Sequence, residues 1–347
     1  LFFHPSVRRH RTAAAAHDRN VIDKKIRPLS TDSGFFIFGL QWLKSLVSHM
    51  VLLMQLHAIP KFSINYQQRT LDLSRPHIMG ILNVTPDSFS DGGQYYQLDN
   101  ALRHTEKMIN EGATIIDVGG ESTRPNACAV SEEEEIARVV KVVEAICHNF
   151  GTQVWVSVDT SNPNVMRLAS QAGASIWNDV RALTRPNAIA TAAALGIPVM
   201  LMHMRGEPTT MNQLDSYQDI VADVITELQA RVDAVIAGGV KRDNLIIDPG
   251  FGFAKNHAQN LIWLKEFYRL HTFNLPVMVA LSRKRFIGEV LKTAQLPHEA
   301  SDRDIASMVA ALLAVQQGAC IVRTHNVAAT KAGLAMWQAM NQHPSFL

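Results

Sequence analysis

The chain has 347 residues, 47% of them apolar, and a formal net charge of +2. This length can bury one large core or two smaller ones, and the near balance of charge excludes the strongly basic surface of a nucleic-acid binder. The three cysteines, Cys128, Cys147 and Cys320, lie far apart with no CxxC pair, which argues against a disulfide framework or a zinc site and for buried thiols in a reducing, cytoplasmic setting.

Residues 1 to 53 read as a tail and not as a domain. The chain begins with Leu1, its first methionine is Met50, and residues 1 to 33 show no amphipathic period. Residues 35 to 54, FFIFGLQWLKSLVSHMVLLM, are apolar enough to raise a membrane anchor, but Gln41, Lys44 and His49 fall near the middle, where charge and polarity are costly. The Arg-rich, acid-poor start also raises a transit peptide. The simpler expectation is an overextended reading frame, with translation starting at Met50 or Met54 and one domain over 54 to 347.

From residue 77 onward short runs of Val, Ile, Leu and Met alternate with stretches of helical period such as EEEEIARVVKVVEAI and DRDIASMVAALLAVQ. The runs are HIMGILNV (77 to 84), TIIDVGG (114 to 120), VWVSVDT (154 to 160), SIWNDV (175 to 180), PVMLMH (198 to 203), NLIIDPG (244 to 250), VMVALS (277 to 282) and CIVRTH (320 to 325). Eight βα units predict an α/β fold of the (β/α)8 TIM barrel type, with a doubly wound sheet as the competitor.

Polar residues at the strand ends favour the barrel, whose active sites are built where the C-terminal ends converge. In order they are Asn83; Glu121, Ser122, Thr123 and Arg124; Asp159; Asn178; His203; Asp248; Ser282, Arg283 and Lys284; and Arg323 with His325. Any one Asp, Asn or Ser after a strand commonly caps the next helix. Cations are not caps, and their presence at three of these ends argues for a site. Arg323, His325, Lys284, Thr123 and Asn83 offer donors and a metal-ready amide, and a helix beginning after the eighth strand would complete a phosphate or pyrophosphate site. Asp159, Asn178 and Asp248 suit a flat heterocycle with several N–H donors. The loop NVTPDSFSDGG (83 to 93) cannot continue a strand or start a helix, because Pro86 and Gly92-Gly93 break both.

NVTPDSFSDGG, GGESTRP, VSVDT, NDV, DPGFGF, SRKRFIG and RTHNV occur in the order and contexts of the dihydropteroate synthases, which the chain resembles from about residue 60 to its C-terminus. The resemblance implies a barrel enzyme of folate synthesis, a transferase joining 6-hydroxymethyl-7,8-dihydropterin diphosphate to p-aminobenzoate with release of pyrophosphate. By resemblance Asn83 would hold Mg2+, and Thr123, Arg323 and His325 would bind the diphosphate. Asp159, Asn178, Asp248 and Lys284 would grip the pterin between Phe253 and Met200. The first loop, with Asp91 stabilising charge on the exocyclic carbon, would close over the diphosphate and form the p-aminobenzoate pocket with STRP, including Arg124. A homodimer is also implied.

The chain departs from the family pattern at Asn326, where an acid is usual, and at Arg285, where many members carry Ser. Rivals are a catalytically silent pterin binder, a pterin-using methyltransferase and an aldolase with Lys284 as Schiff-base lysine. The first should lose the pyrophosphate ligands, and the second has no need of STRP or SRK.

Overall fold

The chain enters the fold through a hairpin, β1 (Ser63–Tyr66) and β2 (Arg69–Asp72), paired antiparallel. The computed structural model describes residues 61–84, 94–121 and 130–342; the expectations for residues 1–53 and for Asp91, Thr123 and Arg124 lie outside the described residues. The eight apolar runs form β3 (His77–Asn83), β4 (Ile115–Gly119), β5 (Trp155–Asp159), β6 (Ile176–Asp179), β7 (Val199–Met202), β8 (Leu245–Asp248), β9 (Met278–Ala280) and β10 (Ile321–Thr324). They make one parallel sheet in the order β8-β7-β6-β5-β4-β3-β10-β9. A parallel bridge between Ile247 and Val277 joins its two edges and closes the barrel.

The helices among the described residues are α1 (Gln94–Asn110), α2 (Glu132–Phe150), α3 (Pro163–Gln171), α4 (Ala188–Leu195), α5 (Ile220–Ala237), α6 (His257–Lys265), α7 (Arg285–Thr293), α8 (Asp304–Gln316) and α9 (Val327–Gln342). Several begin at side chains suited to the task. Ser131 Oγ accepts the Glu134 N–H before the four glutamates of α2, Asn162 caps α3 ahead of Pro163, Asp219 caps α5, and Asn256 with Gln259 forms a capping box on α6. Each satisfies amides that the helix cannot, a contribution of about 1 kcal/mol.

Strands buried on both faces explain why the runs lack polar alternation. Outward residues such as Ile116, Val118, Val156, Val158, Val199 and Leu201 pack against the helices. Inward residues near the strand starts, Met79, Ile115, Trp155, Ile176, Met200, Ile246, Met278 and Ile321, form a second layer sealed by Ile64, Leu71 and Leu73 of the hairpin and its exit. Arg69 reinforces this plug by lying 4.7 Å over the Trp155 ring and donating to the Val154 carbonyl at 3.0 Å.

Met200 therefore belongs to the floor of the barrel and not to a ligand wall, contrary to the expectation from sequence. Met202, two residues further along the same face, packs with Phe253, Val180, Met211 and Ala254. Among the described residues no helix is long and apolar enough to cross a membrane.

Candidate active site

Above the apolar layer, side chains on the inward face become polar. Because side chains alternate along a strand, Asp117, Ser157, Asn178, Asp248 and Arg323 follow two residues after Ile115, Trp155, Ile176, Ile246 and Ile321. Arg323 organises them: its Nε donates to Asp117 Oδ2 at 2.7 Å and its Nη2 to Asp159 Oδ2 at 2.8 Å. Asn178 Nδ2 donates to the same Asp117 oxygen at 3.0 Å. Burial opposes the Arg323 cation, but the Asp117 and Asp159 carboxylates more than offset it and hold it above the ordinary arginine value.

Two acceptors in this group, Asp117 Oδ1 and Asn178 Oδ1, are buried without a hydrogen-bond partner among the described residues. An orphaned buried acceptor is costly, and both of these stand in the polar layer of the mouth, where a ligand's donors could reach them. Burial pushes Asp159 up to about 7, with Arg323 pulling it back. Burial also raises Asp248, whose Oδ1 accepts the Gly250 N–H at 2.8 Å and which faces the Lys284 charge. Lys284 is pulled down to about 8 by burial, with Asp248 opposing, and its Nζ lies 4.2 Å from the Phe253 ring centre.

The diphosphate candidates sit on the next sector of the rim. Ser282 Oγ accepts the His325 backbone N–H at 3.1 Å and lies 2.9 Å from its Nδ1. This pair of contacts fixes the imidazole plane of His325 against β9 and its exit. Asn326 caps α9 by accepting the Ala329 N–H at 3.0 Å and donates to Asp304 Oδ2 at 3.1 Å. An amide in place of the usual acid thus gains a bond to a neighbouring carboxylate. Arg283 does not turn into the mouth: its guanidinium grips Asp304, with Nε at 2.7 Å from Oδ1. Arg285 is exposed at the start of α7.

Asn83 ends β3, paired in register with Gly119. A Cβ built on Gly119 would lie 3.8 Å from Asn83 Oδ1 and 3.9 Å from Asp159 Oδ2, so the glycine leaves a notch between two hard oxygens. No cluster of three acidic, His or Cys ligands occurs among the described residues. A cation here would take most of its oxygens from a bound phosphate and water, as Mg2+ commonly does.

His203 does not open into the mouth as a ligand. Its side chain is buried, with Nε2 at 3.0 Å from Glu227 Oε2 and Nδ1 at 3.0 Å from Lys255 Nζ. Asp117 and Lys255 are absent from the residues singled out by sequence. Asp117 carried a signal, as the lone charge inside TIIDVGG; Lys255 carried none, because a lysine after a loop ordinarily reads as solvated.

A second polar group, centred on Asp179 at the end of β6, ties the loops together. The Asp179 carboxylate accepts from the Ser161 hydroxyl and from the Arg181 and Leu183 amides. Arg181 reaches Glu207 at 2.6 Å and Glu121 at 3.4 Å. Thus the segment GEPTT (206 to 210) supplies an anchor through Glu207.

The family model of the pterin binding enzymes matches residues 79–325. The dihydropteroate synthase of Haemophilus influenzae is 51% identical over 271 residues, covering 78% of this chain and 96% of that protein. The Yersinia pestis dihydropteroate synthase, solved with a sulfonamide drug complex, aligns with a TM-score of 0.75 at 45% identity over 81% of this chain and all (100%) of that one. The Xanthomonas albilineans dihydropteroate synthase with 4-aminobenzoic acid aligns with a TM-score of 0.75 at 44% identity, covering 82% and 100%.

Proposed function

We propose residue roles for a chain that belongs to the pterin-binding enzyme family and is a transferase carrying out the dihydropteroate synthase reaction, the condensation of 6-hydroxymethyl-7,8-dihydropterin diphosphate with p-aminobenzoate to give 7,8-dihydropteroate and pyrophosphate. The observation carrying the assignment of the mouth is the pair of orphaned acceptors, Asp117 Oδ1 and Asn178 Oδ1, beside Asp248. A pterin edge carries several N–H donors, and these oxygens would accept them. Lys284 would donate to the heterocycle's acceptor atoms, and Phe253 with Met202 would supply its apolar wall.

Arg323 holds two carboxylates through Nε and Nη2, and among the described residues its Nη1 has no hydrogen bond. That donor, with the His325 imidazole, would bind the diphosphate. Asn83 would hold Mg2+ on the same group, and the bound ion would compensate the charge of the departing pyrophosphate. The C–O bond to the exocyclic carbon breaks with its electron pair leaving on pyrophosphate, the aniline nitrogen bonds to the carbon so exposed, and the nitrogen sheds its proton to solvent. This weak nucleophile needs positioning more than a strong base, so the site works without an activated Ser or Cys. Thr123 would bind the diphosphate with Arg323 and His325, Asp91 would stabilise charge on the exocyclic carbon, and the loops that carry Asp91 and Arg124 would complete the p-aminobenzoate pocket.

We assign a homodimer and a cytoplasmic setting on separate grounds. Ile305, Val309 and Leu313 are exposed one turn apart on α8, and Met336 and Met340 are exposed on the adjoining α9. A second copy presenting the same stripe would bury it, and Ile305→Asp should shift sedimentation to the monomer. Cys147 and Cys320 are free thiols, suited to a reducing compartment.

The test of function supplies the dihydropterin diphosphate, p-aminobenzoate and Mg2+ and follows dihydropteroate and pyrophosphate together. Equal release of the two supports the assignment. Pterin binding without product would favour a silent binder.

A further inference from the structure

The segment after β8, DPGFGFAK (248 to 255), shapes one side of the mouth. It carries Asp248 at its start and Phe253 over Lys284. Its backbone is left-handed at Gly250 (φ 69), Gly252 (φ 77) and Ala254 (φ 47), and such a conformation persists at an alanine only where neighbours hold it. At Gly250 a Cβ would fall 2.0 Å from the His203 carbonyl oxygen, so this loop is pressed against the end of β7.

Lys255 makes the fastening. Its side chain is buried, and its Nζ has three acceptors: the Gly250 carbonyl at 3.1 Å, the Phe253 carbonyl at 3.1 Å and His203 Nδ1 at 3.0 Å. The imidazole is itself oriented, since Nε2–H donates to Glu227 and leaves Nδ1 to accept. Glu227 is in turn gripped by the Arg205 guanidinium. Asn260 braces the segment from α6, accepting the Gly252 N–H at 2.7 Å and donating to the Lys255 carbonyl at 3.0 Å. Burial pulls Lys255 down to about 7, with the Asp248 carboxylate opposing, but only an ammonium has three hydrogens, so a neutral amine would leave one of these three acceptors unmet.

We propose that Lys255 is a positioning residue for the pterin, a buried ammonium that binds the 248–255 segment to His203 and thereby sets the Asp248 carboxylate and the Phe253 ring. It rests on the reading of the mouth as the pterin site. The lysine touches no reacting group; it acts through Asp248 and Phe253. Its charge also lies behind Asp248 and favours the ionised form, which accepts two N–H bonds from one heterocycle edge.

The test compares the full chain with its Lys255→Met variant by titrating dihydropterin diphosphate and Mg2+ in the absence of p-aminobenzoate, and then by steady-state kinetics. The dissociation constant and KM for the pterin substrate should rise about tenfold or more, with the KM for p-aminobenzoate and kcat held within about twofold. Unchanged pterin affinity, or a loss that raises both KM values alike, overturns the proposal. His203→Phe keeps the lysine and removes one acceptor, and should weaken pterin binding about threefold even if Lys255→Met does not fold; no change in that variant also overturns it. Failure of the wild-type chain to bind pterin would overturn the reading of the mouth and this inference together, whereas wild-type binding matched by Lys255→Met overturns the inference alone.

Discussion

Arg323 and Asp117 are 206 positions apart in the chain and joined by a 2.7 Å bond across the barrel. The cation holds together a mouth in which Asp117, Asp159 and Asp248 are all buried. Removing it in Arg323→Met leaves these acids with the Lys284 and Lys255 charges, which act on Asp248, and should cost about 3–5 kcal/mol in urea unfolding near pH 8. Asp159 and Asp248, which burial already raises, can recover by protonation. Their folded pKa values then lie above the unfolded ones, so the fold binds more protons, and stability rises as pH falls. The deficit should therefore shrink toward about pH 5.5, and a deficit independent of pH would refute this account.

Glu135, on α2, is a cleaner case. Burial pushes it from 4.5 to about 7, and its Oε1 has no partner among the described residues. A carboxyl raised in the fold contributes stability while protonated and loses it as pH climbs from about 4.5 to about 7. Glu135→Gln keeps the shape without the titration. Denaturant curves should show equal stability in acid and a gain of about 1–3 kcal/mol for the variant above neutrality. A variant less stable than wild type at both pH values would contradict it.

Lys284 is expected to limit activity in alkali. Its ammonium, lowered to about 8, is lost as pH rises through that value, and kcat/KM for the pterin substrate should fall with it. In Lys284→Met the alkaline limb should disappear and kcat/KM drop by about 100-fold, the worth of one charged hydrogen bond. Persistence of the limb in the variant would assign it to another group.

Asn83 bears on the metal. Asn83→Ala should raise the Mg2+ concentration for half-maximal rate by about tenfold, and excess chelator should stop the wild-type reaction reversibly. Unchanged Mg2+ dependence would remove Asn83 from the ligand set.

The hairpin predicts a separation of stability from activity. Ile64 is fully buried at the floor, at the opposite end from the site. Ile64→Ala should lower stability by about 2–4 kcal/mol and leave specific activity of the folded protein unchanged. A loss of turnover at full folding would show that the floor shapes the mouth.

The strands of the barrel were legible because they are buried on both faces: each appears as an apolar run, and the runs from HIMGILNV to CIVRTH differ from β3 to β10 only by a residue or two at their ends. The hairpin was missed because β1 and β2 are four residues each with a single buried row. His203, read as a rim residue, proved to be engaged on the far side by Glu227 and Lys255, partners that only the packing of α5 and the 248–255 segment brings near.

By itself the sequence determined the alternation of strand and helix, the polar ends of the strands and, through its ordered motifs, the family. Those are local properties, set by side-chain period, caps and turns. Only the tertiary structure decided depth and partnership: that Met200 lies in the floor and Met202 beside Phe253, that Asp117 is joined to Arg323, and that Lys255 is buried. The physical reason is register. In a closed barrel the height of each side chain depends on how distant strands are staggered against one another, and that stagger is written in no single segment.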